Sequence, residues 1–477
     1  MPMSGRRRPS ALRDNFLVRC VVILLRQRSR GIMRTISLAA VALLGAALLA
    51  PVGTAAAAGE TCQGQAATIV GTPGGQITGT EGADVIVTNG ATNVDALGGD
   101  DMVCATIQRA TYAPRVIMIL GGGADTFIPS ALGGATIYAG TVDGTDTEAD
   151  IIRASGYGVV ITGMVGQPNA DIIDLAFGEV SWSGIQTAPG AVSVGTGGVL
   201  SGRSARSHDP GGILGVRSAN GDVTMDASGT VTRVDTALTW TGQFAGLEFT
   251  TSAEYGRFTF RGTNSAERVK VDAATTYNRD IALGGGNDLY VSNSLGGKAT
   301  RIKGDGGYNE LLLDLHSHDR VRADLSRSRV TATKMGVEDS VRVRGFNGLT
   351  VAAKRADVIG TDRADHIKVI ACRTTIEGMK GRDILDAEAR HVLYDGDPWT
   401  KPRCSNYEAT IYGGPGNDLI DGSSGDDRLV GDRGRDTIAG GPGKDRLIGG
   451  PGKDRVSGGL QRDVCQGERV RDCEKRI

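Results

Sequence analysis

Residues 440–459 read GGPGKDRLIGGPGKDRVSGG, almost the same phrase twice on a count of nine. Extended both ways from there, the segment from Gly413 divides into six nonads: GGPGNDLID, GSSGDDRLV, GDRGRDTIA, GGPGKDRLI, GGPGKDRVS and GGLQRDVCQ. The first position is always glycine (Gly413, Gly422, Gly431, Gly440, Gly449, Gly458). The fourth is Gly416, Gly425, Gly434, Gly443 and Gly452, with Gln461 breaking the series. The sixth is always aspartate: Asp418, Asp427, Asp436, Asp445, Asp454 and Asp463. The eighth is Ile420, Leu429, Ile438, Leu447, Val456 and Cys465.

Each position has a physical reason. Glycine permits positive φ and close backbone approach, as a tight turn requires. The last three residues of a nonad suit a short strand, whose period of two sends the eighth side chain to one face and the seventh and ninth to the other. The eighth is apolar, so its face is the inner one. The seventh (Leu419, Arg428, Thr437, Arg446, Arg455, Val464) is mostly polar and faces water. A turn and a strand in alternation wind into a flattened coil, two nonads per circuit, with circuits stacked about 4.8 Å apart. Asp418 then lies over Asp436 and Asp436 over Asp454, while Asp427 lies over Asp445 and Asp445 over Asp463. Stacked carboxylates repel, and a hard cation between two turns removes the repulsion. One carboxylate from each turn plus turn carbonyls makes an all-oxygen shell of about six to eight ligands, which suits Ca²⁺. Six nonads offer at most four such sandwiched sites.

The pattern GGxGxDxUx resembles the RTX (haemolysin-type) calcium-binding repeat over Gly413 to Gln466. The resemblance implies a parallel β-roll with Ca²⁺ in its turns, held by the six aspartates and the glycines at positions one and four. One departure is position five, where Arg435, Lys444, Lys453 and Arg462 follow Asn417 and Asp426. Basic side chains there would oppose an ion, so the first three nonads are the better expected sites.

Weaker copies run through the chain. GTEGADVIV from Gly79, GTNSAERVKV from Gly262 and GTDRADHIKV from Gly360 share one template, with Asp84, Glu267 and Asp365 in the acidic place. Others carry Asp101, Asp125, Asp150, Asp171, Asp288 and Asp383, and Asn309 stands where an aspartate is expected. Their spacing is uneven. Without a neighbour at a fixed distance, they are expected to be structural turns that hold no ion. The expected fold is all-β: a parallel β-roll or β-solenoid, with the C-terminal roll preceded by degenerate repeats. Between Ala176 and Thr276 short alternating strands with frequent turns suggest a different all-β unit.

The expected organisation is an N-terminal extension and secretory signal peptide (1–58), a degenerate solenoid (59–200), a linker loop (201–212), a β-rich region with degenerate repeats (213–400), and the calcium-binding roll with its cap (401–477). The signal reading rests on Arg34, the apolar run Ile36 to Leu49 and the small residues Ala55 to Ala58, with Met33 as a candidate start. That run is too short to span a bilayer comfortably, so no membrane span is expected in the mature chain. Removing the signal region leaves six of seven cysteines. An even count in an exported chain suggests disulfides. Neighbour pairing would join Cys62–Cys104, Cys372–Cys404 and Cys465–Cys473, one of fifteen formal connectivities. Localisation is expected to be extracellular.

Glycine accounts for 72 of 477 residues, about twice the ordinary ~7%. Lys and Arg (53) balance Asp and Glu (54), which argues against nucleic acid or an anionic membrane as partner. No HExxH, GxSxG or P-loop motif is present. His316 and His318 beside Asp319 would need a third ligand to hold zinc. Two functional classes remain. One is a secreted calcium-binding repeat protein with a structural or binding role, without a catalytic centre. The other is an extracellular polysaccharide-modifying enzyme, a lyase or epimerase, on the same scaffold. Beyond calcium, an extracellular polysaccharide or a cell surface is the partner class left open.

Overall fold

Short apolar–polar alternations separated by glycine turns leave the chain no way to bury a face except by stacking on its own next coil. The computed structural model shows this stacking. It describes residues 59–476 apart from 107–115, 130–132, 144, 195–211, 219–220, 228, 233–237, 243, 388–392, 395–396 and 399–403. The proposed signal peptide and nearly all of the linker loop lie outside the described residues. Among those residues there is no helix, and no helix long and apolar enough to cross a membrane.

In the tail, strands alternate between two parallel ladders. Leu419–Asp421, Thr437–Pro442, Arg455–Leu460 and Arg469–Arg471 form one. Arg428–Val430, Arg446–Ile448, Val464–Gln466 and Lys475–Arg476 form the other. Ile420 lies in register with Ile438 and Ile438 with Val456, while Leu429 meets Leu447 and Leu447 meets Cys465. The eighth-position side chains are all 2% exposed or less. The β-solenoid expected from the nonads is therefore the fold, two nonads to the coil.

The same ladders continue upstream with coils of other lengths. Ile86 pairs with Val103, Val103 with Phe127, and Phe127 with Ile152. Leu385 pairs with Ile420 directly, and the disulfide Cys372–Cys404 ties the segment between them to the preceding coil. One hydrophobic cluster runs from Ile77 to Cys465. All three disulfides join sequence neighbours, Cys62–Cys104, Cys372–Cys404 and Cys465–Cys473.

Residues 176–276 do not form a unit of a different kind. Two antiparallel turns are inserted into a continuing ladder there: Val223–Asp226, Thr230–Thr232 and Leu238–Gly242 lie between Ala191–Val194 and Arg257–Arg261. The device recurs where Arg320–Asp324, Arg329–Lys334 and Val337–Arg344 lie between Arg301–Lys303 and Arg355–Ile359. Alternation has the same period in a hairpin as in a coil, so sequence pattern does not separate them. The central coils hold the large rings, with Trp182 fully buried and Phe249 stacked on Phe258 at 4.3 Å.

Inward and outward positions of one tail strand should differ sharply in cost. Leu447→Ala is expected to destabilise the roll by about 2–5 kcal/mol in chemical denaturation. Arg446→Ala should stay within about 0.5 kcal/mol. Equal effects would contradict the assignment of the inner face.

Candidate metal centre

Each sixth-position aspartate immediately precedes a strand and is 3% exposed or less. Its Oδ1 accepts a backbone N–H from the coil before, that of an aspartate in every case but Asp427, which takes the N–H of Ala409. Asp418 N–H donates to Asp436 and Asp436 N–H to Asp454, both at 2.9 Å across 18 residues. Asp427 N–H donates to Asp445 and Asp445 N–H to Asp463, also at 2.9 Å. The second oxygen is different. In Asp418, Asp436, Asp445, Asp454 and Asp463, Oδ2 is buried with no hydrogen-bond partner.

The glycines at both positions relieve crowding within the turn. At the first positions, Gly413, Gly422, Gly431, Gly440 and Gly449, an added Cβ would run into Oδ2 of the aspartate of the same nonad, 2.6 Å away at Gly413 and Gly422. At the fourth, Gly416, Gly425, Gly434, Gly443 and Gly452, it would strike a backbone carbonyl of the coil before. The first glycine makes room for the carboxylate and, as at Gly422 against the Gly440 carbonyl, for a carbonyl of the next coil, while the fourth admits the carbonyl of the coil before.

The second position sets what the carboxylate finds. Ser423 donates its N–H to Asp427 Oδ2 at 2.6 Å and its hydroxyl to Oδ1 at 2.8 Å. Thr80 caps Asp84, and Thr361 caps Asp365, in the same way. Thr263 does so for Glu267, whose longer side chain keeps one oxygen without a partner. Where the second residue has positive φ, as at Gly414 (95°), Asp432 (69°), Gly441 (103°) or Met379 (76°), this cap is missing. Of the six expected ligands, Asp427 is thus satisfied within its own turn, and the other five keep an unsatisfied oxygen.

Electrostatics agree. Burial pushes the carboxyls of Asp418 and Asp436 up to about 6, and those of Asp445 and Asp383 to about 7. Asp454 and Asp463 are also raised, again mainly by burial. Repulsion between stacked carboxylates adds to the rise in Asp436 and Asp445 but is secondary to loss of water. The position-five bases Arg435, Lys444, Lys453 and Arg462 are exposed, so their charges stay in solvent.

Two acids escaped the sequence reading. Asp454 N–H donates to Glu468 Oε2 and Asp463 N–H to Glu474 Oε2, both at 2.7 Å. These coils are shorter, 14 and 11 residues, and the longer side chain bridges the difference. The signal available was order rather than period: Glu468-Arg469-Val470 repeats Asp454-Arg455-Val456. At the other end Asp383 N–H donates to Asp418 Oδ1 across 35 residues. The upstream turns are therefore not isolated, contrary to the expectation from their spacing.

A hard cation fits this donor set. Buried ionised groups need a partner or a metal, and each open turn offers a carboxylate oxygen beside closely stacked carbonyls. Among the described residues no three acidic, histidine or cysteine side chains converge on one point. An ion would therefore take carboxylates from at most two coils and complete its shell with carbonyls. The histidine pair stays apart from this chemistry: His316 bonds to Asp314 at 2.7 Å, and His318 is buried.

The raised carboxyls set a pH dependence. Folded values of about 6 to 7 lie above the ordinary 3.8, so their contribution to stability is fully present below that value and lost as pH rises through 6 to 7. Without calcium, the roll's melting midpoint should be higher near about pH 5 than near about pH 8. Calcium competes with these protons, so the rise in midpoint it produces should be larger at about pH 8. Melting followed by circular dichroism checks both signs, and a calcium-free roll that is stabler at the higher pH would contradict the assignment.

No curated protein matches the chain. Residues 406–438 and 430–465 match the family described as RTX calcium-binding nonapeptide repeat (4 copies). With the geometry above, the match makes residues 406–465 an array of RTX calcium-binding repeats within a longer parallel β-solenoid.

Proposed function

We propose that the chain is a secreted calcium-binding repeat protein whose tail folds around Ca²⁺ and whose role is structural or binding rather than catalytic. The observation that carries this reading is the set of five buried carboxylate oxygens in the array without a hydrogen-bond partner. Leaving them ionised and bare is costly, and an ion that binds only the coiled state adds its binding energy to folding. Asp418, Asp436, Asp445, Asp454 and Asp463 are the proposed ligands, with Gly413, Gly431, Gly440 and Gly449 leaving space for the carboxylates. Asp427, capped by Ser423, is the weakest of the six. The three disulfides fit an oxidising compartment outside the cell. Hydrogen exchange of the full chain tests the coupling. Amides of residues 413–466 should exchange rapidly in chelator and become protected on adding calcium; protection that is already complete in chelator would refute it.

A second reading, contact with an acidic polysaccharide, is favoured by one cleft of about 350 Å³. Lys298, Arg301, Arg329 and Arg342 wall it. The register sets Arg301 opposite Arg342 and Arg342 opposite Arg329, an arrangement that costs stability unless something anionic is bound. Asp280, next to Arg301 in the ladder, is bonded instead to Arg261 at 2.7 Å. Elsewhere on this ladder cations are paired, as Arg355 is with Asp357 and Arg373 with Glu408. Arginine's planar fork suits carboxylate or sulfate groups. Replacing Arg301 and Arg342 by alanine should weaken retention on a carboxylated polysaccharide and leave calcium binding intact. Unchanged retention would remove this reading.

A further inference from the structure

The upstream half of the solenoid carries an acid ladder of its own, on the edge that precedes strands Val85–Val87, Met102–Ala105, Thr126–Pro129, Ile151–Thr162 and Ile172–Trp182. Asp84 N–H donates to Asp101 Oδ1, Asp101 N–H to Asp125, Asp125 N–H to Asp150, and Asp150 N–H to Asp171. The steps are 17, 24, 25 and 21 residues. No fixed period describes them, and none of these residues lies in the matched array.

The two ends of this ladder are satisfied within the protein. Asp84 Oδ2 accepts the N–H and hydroxyl of Thr80, at 2.8 and 2.9 Å, and its Oδ1 accepts the hydroxyl of Thr68. Asp171 Oδ2 accepts the hydroxyl of Thr162. The three between them are not. Asp101, Asp125 and Asp150 are 2%, 0% and 1% exposed, and Oδ2 of each has no hydrogen-bond partner. The turns before Asp101 and Asp125 have Leu97 (φ 73°) and Gly121 (φ 104°) at the position where Thr80 supplies the cap.

Further acids surround these three. Asp100 accepts the Ala124 N–H at 3.0 Å, and Asp146 accepts the Gly123 N–H. The charged groups acting on Asp101, Asp125 and Asp150 are all carboxylates. Among the described residues no base acts on this corner, whereas position five of the last four nonads of the array holds Arg435, Lys444, Lys453 and Arg462. Its turns begin with Ala96 and Leu120 where the tail's nonads begin with glycine.

We propose that this upstream ladder is a second divalent-cation site, with ions held between coils by Asp101, Asp125 and Asp150 and by turn carbonyls. It rests on its own unsatisfied oxygens and does not depend on the reading of the tail.

Hydrogen exchange of the unaltered full chain, in calcium and in chelator, reads the two regions separately. Amides of residues 97–102 and 121–126 should slow on adding calcium, by about a hundredfold when free calcium is about 100 times the dissociation constant. Equilibrium dialysis of variants gives a second measure. Asp125→Asn should lower the calcium bound per chain, while Asp84→Asn, at a turn already capped, should leave it unchanged. Calcium-dependent protection in residues 413–466 but not upstream would overturn this proposal and leave the tail's function standing, with the three acids as buried neutral groups. Protection upstream alone would do the reverse. If Asp125→Asn does not fold, exchange in the unaltered chain still decides.

Discussion

The structure depends on one recurring interaction: a buried carboxylate that accepts the backbone N–H of the acid one coil earlier. That bond closes a backbone donor which would otherwise be stranded at the edge of the sheet. It also fixes the register, because the acid stands immediately before its strand and carries the strand with it. The cost is that a charged group is removed from water. One oxygen is compensated by the backbone and the other by whatever the turn provides.

Turns solve the second half of that problem in two ways. Where a threonine or serine follows the first glycine, its N–H and hydroxyl close the carboxylate, as Thr80, Thr361 and Ser423 do. Where that residue is left-handed, its N–H is not given to the carboxylate, and the oxygen is left for a cation. The same backbone frame therefore produces structural turns and ion-binding turns, and a single residue type separates them. This accounts for a tail that contains both kinds and, upstream, for the capped Asp84 beside the open Asp101 and Asp125.

Stacking rather than period is what the solenoid keeps constant. Acids 17 to 35 residues apart stand in the same relation, and antiparallel inserts are taken up without breaking the ladder. Energetically this is inexpensive, since lengthening a surface loop costs little compared with breaking a ladder. The shortened coils at the end are the mirror case: Glu468 and Glu474 replace aspartate and reach across with an extra methylene.

Much of this was legible in the residues themselves. The glycine, aspartate and aliphatic phases of 413–466 determined the two-nonad coil, the inner face and the pairing of acids 18 residues apart, because every requirement there is local and repeats. Neighbour pairing of the cysteines was one of fifteen connectivities open to the residues, and the stacked coils select it. What only the tertiary structure decided is which coils meet when their lengths differ: Asp383 with Asp418, Asp101 with Asp125, Glu474 with Asp463. It also decided which carboxylates remain unsatisfied, since that depends on the φ of a single turn residue and on burial by the adjoining coil. Neither quantity is written in spacing, because both arise only when one winding is laid on the next.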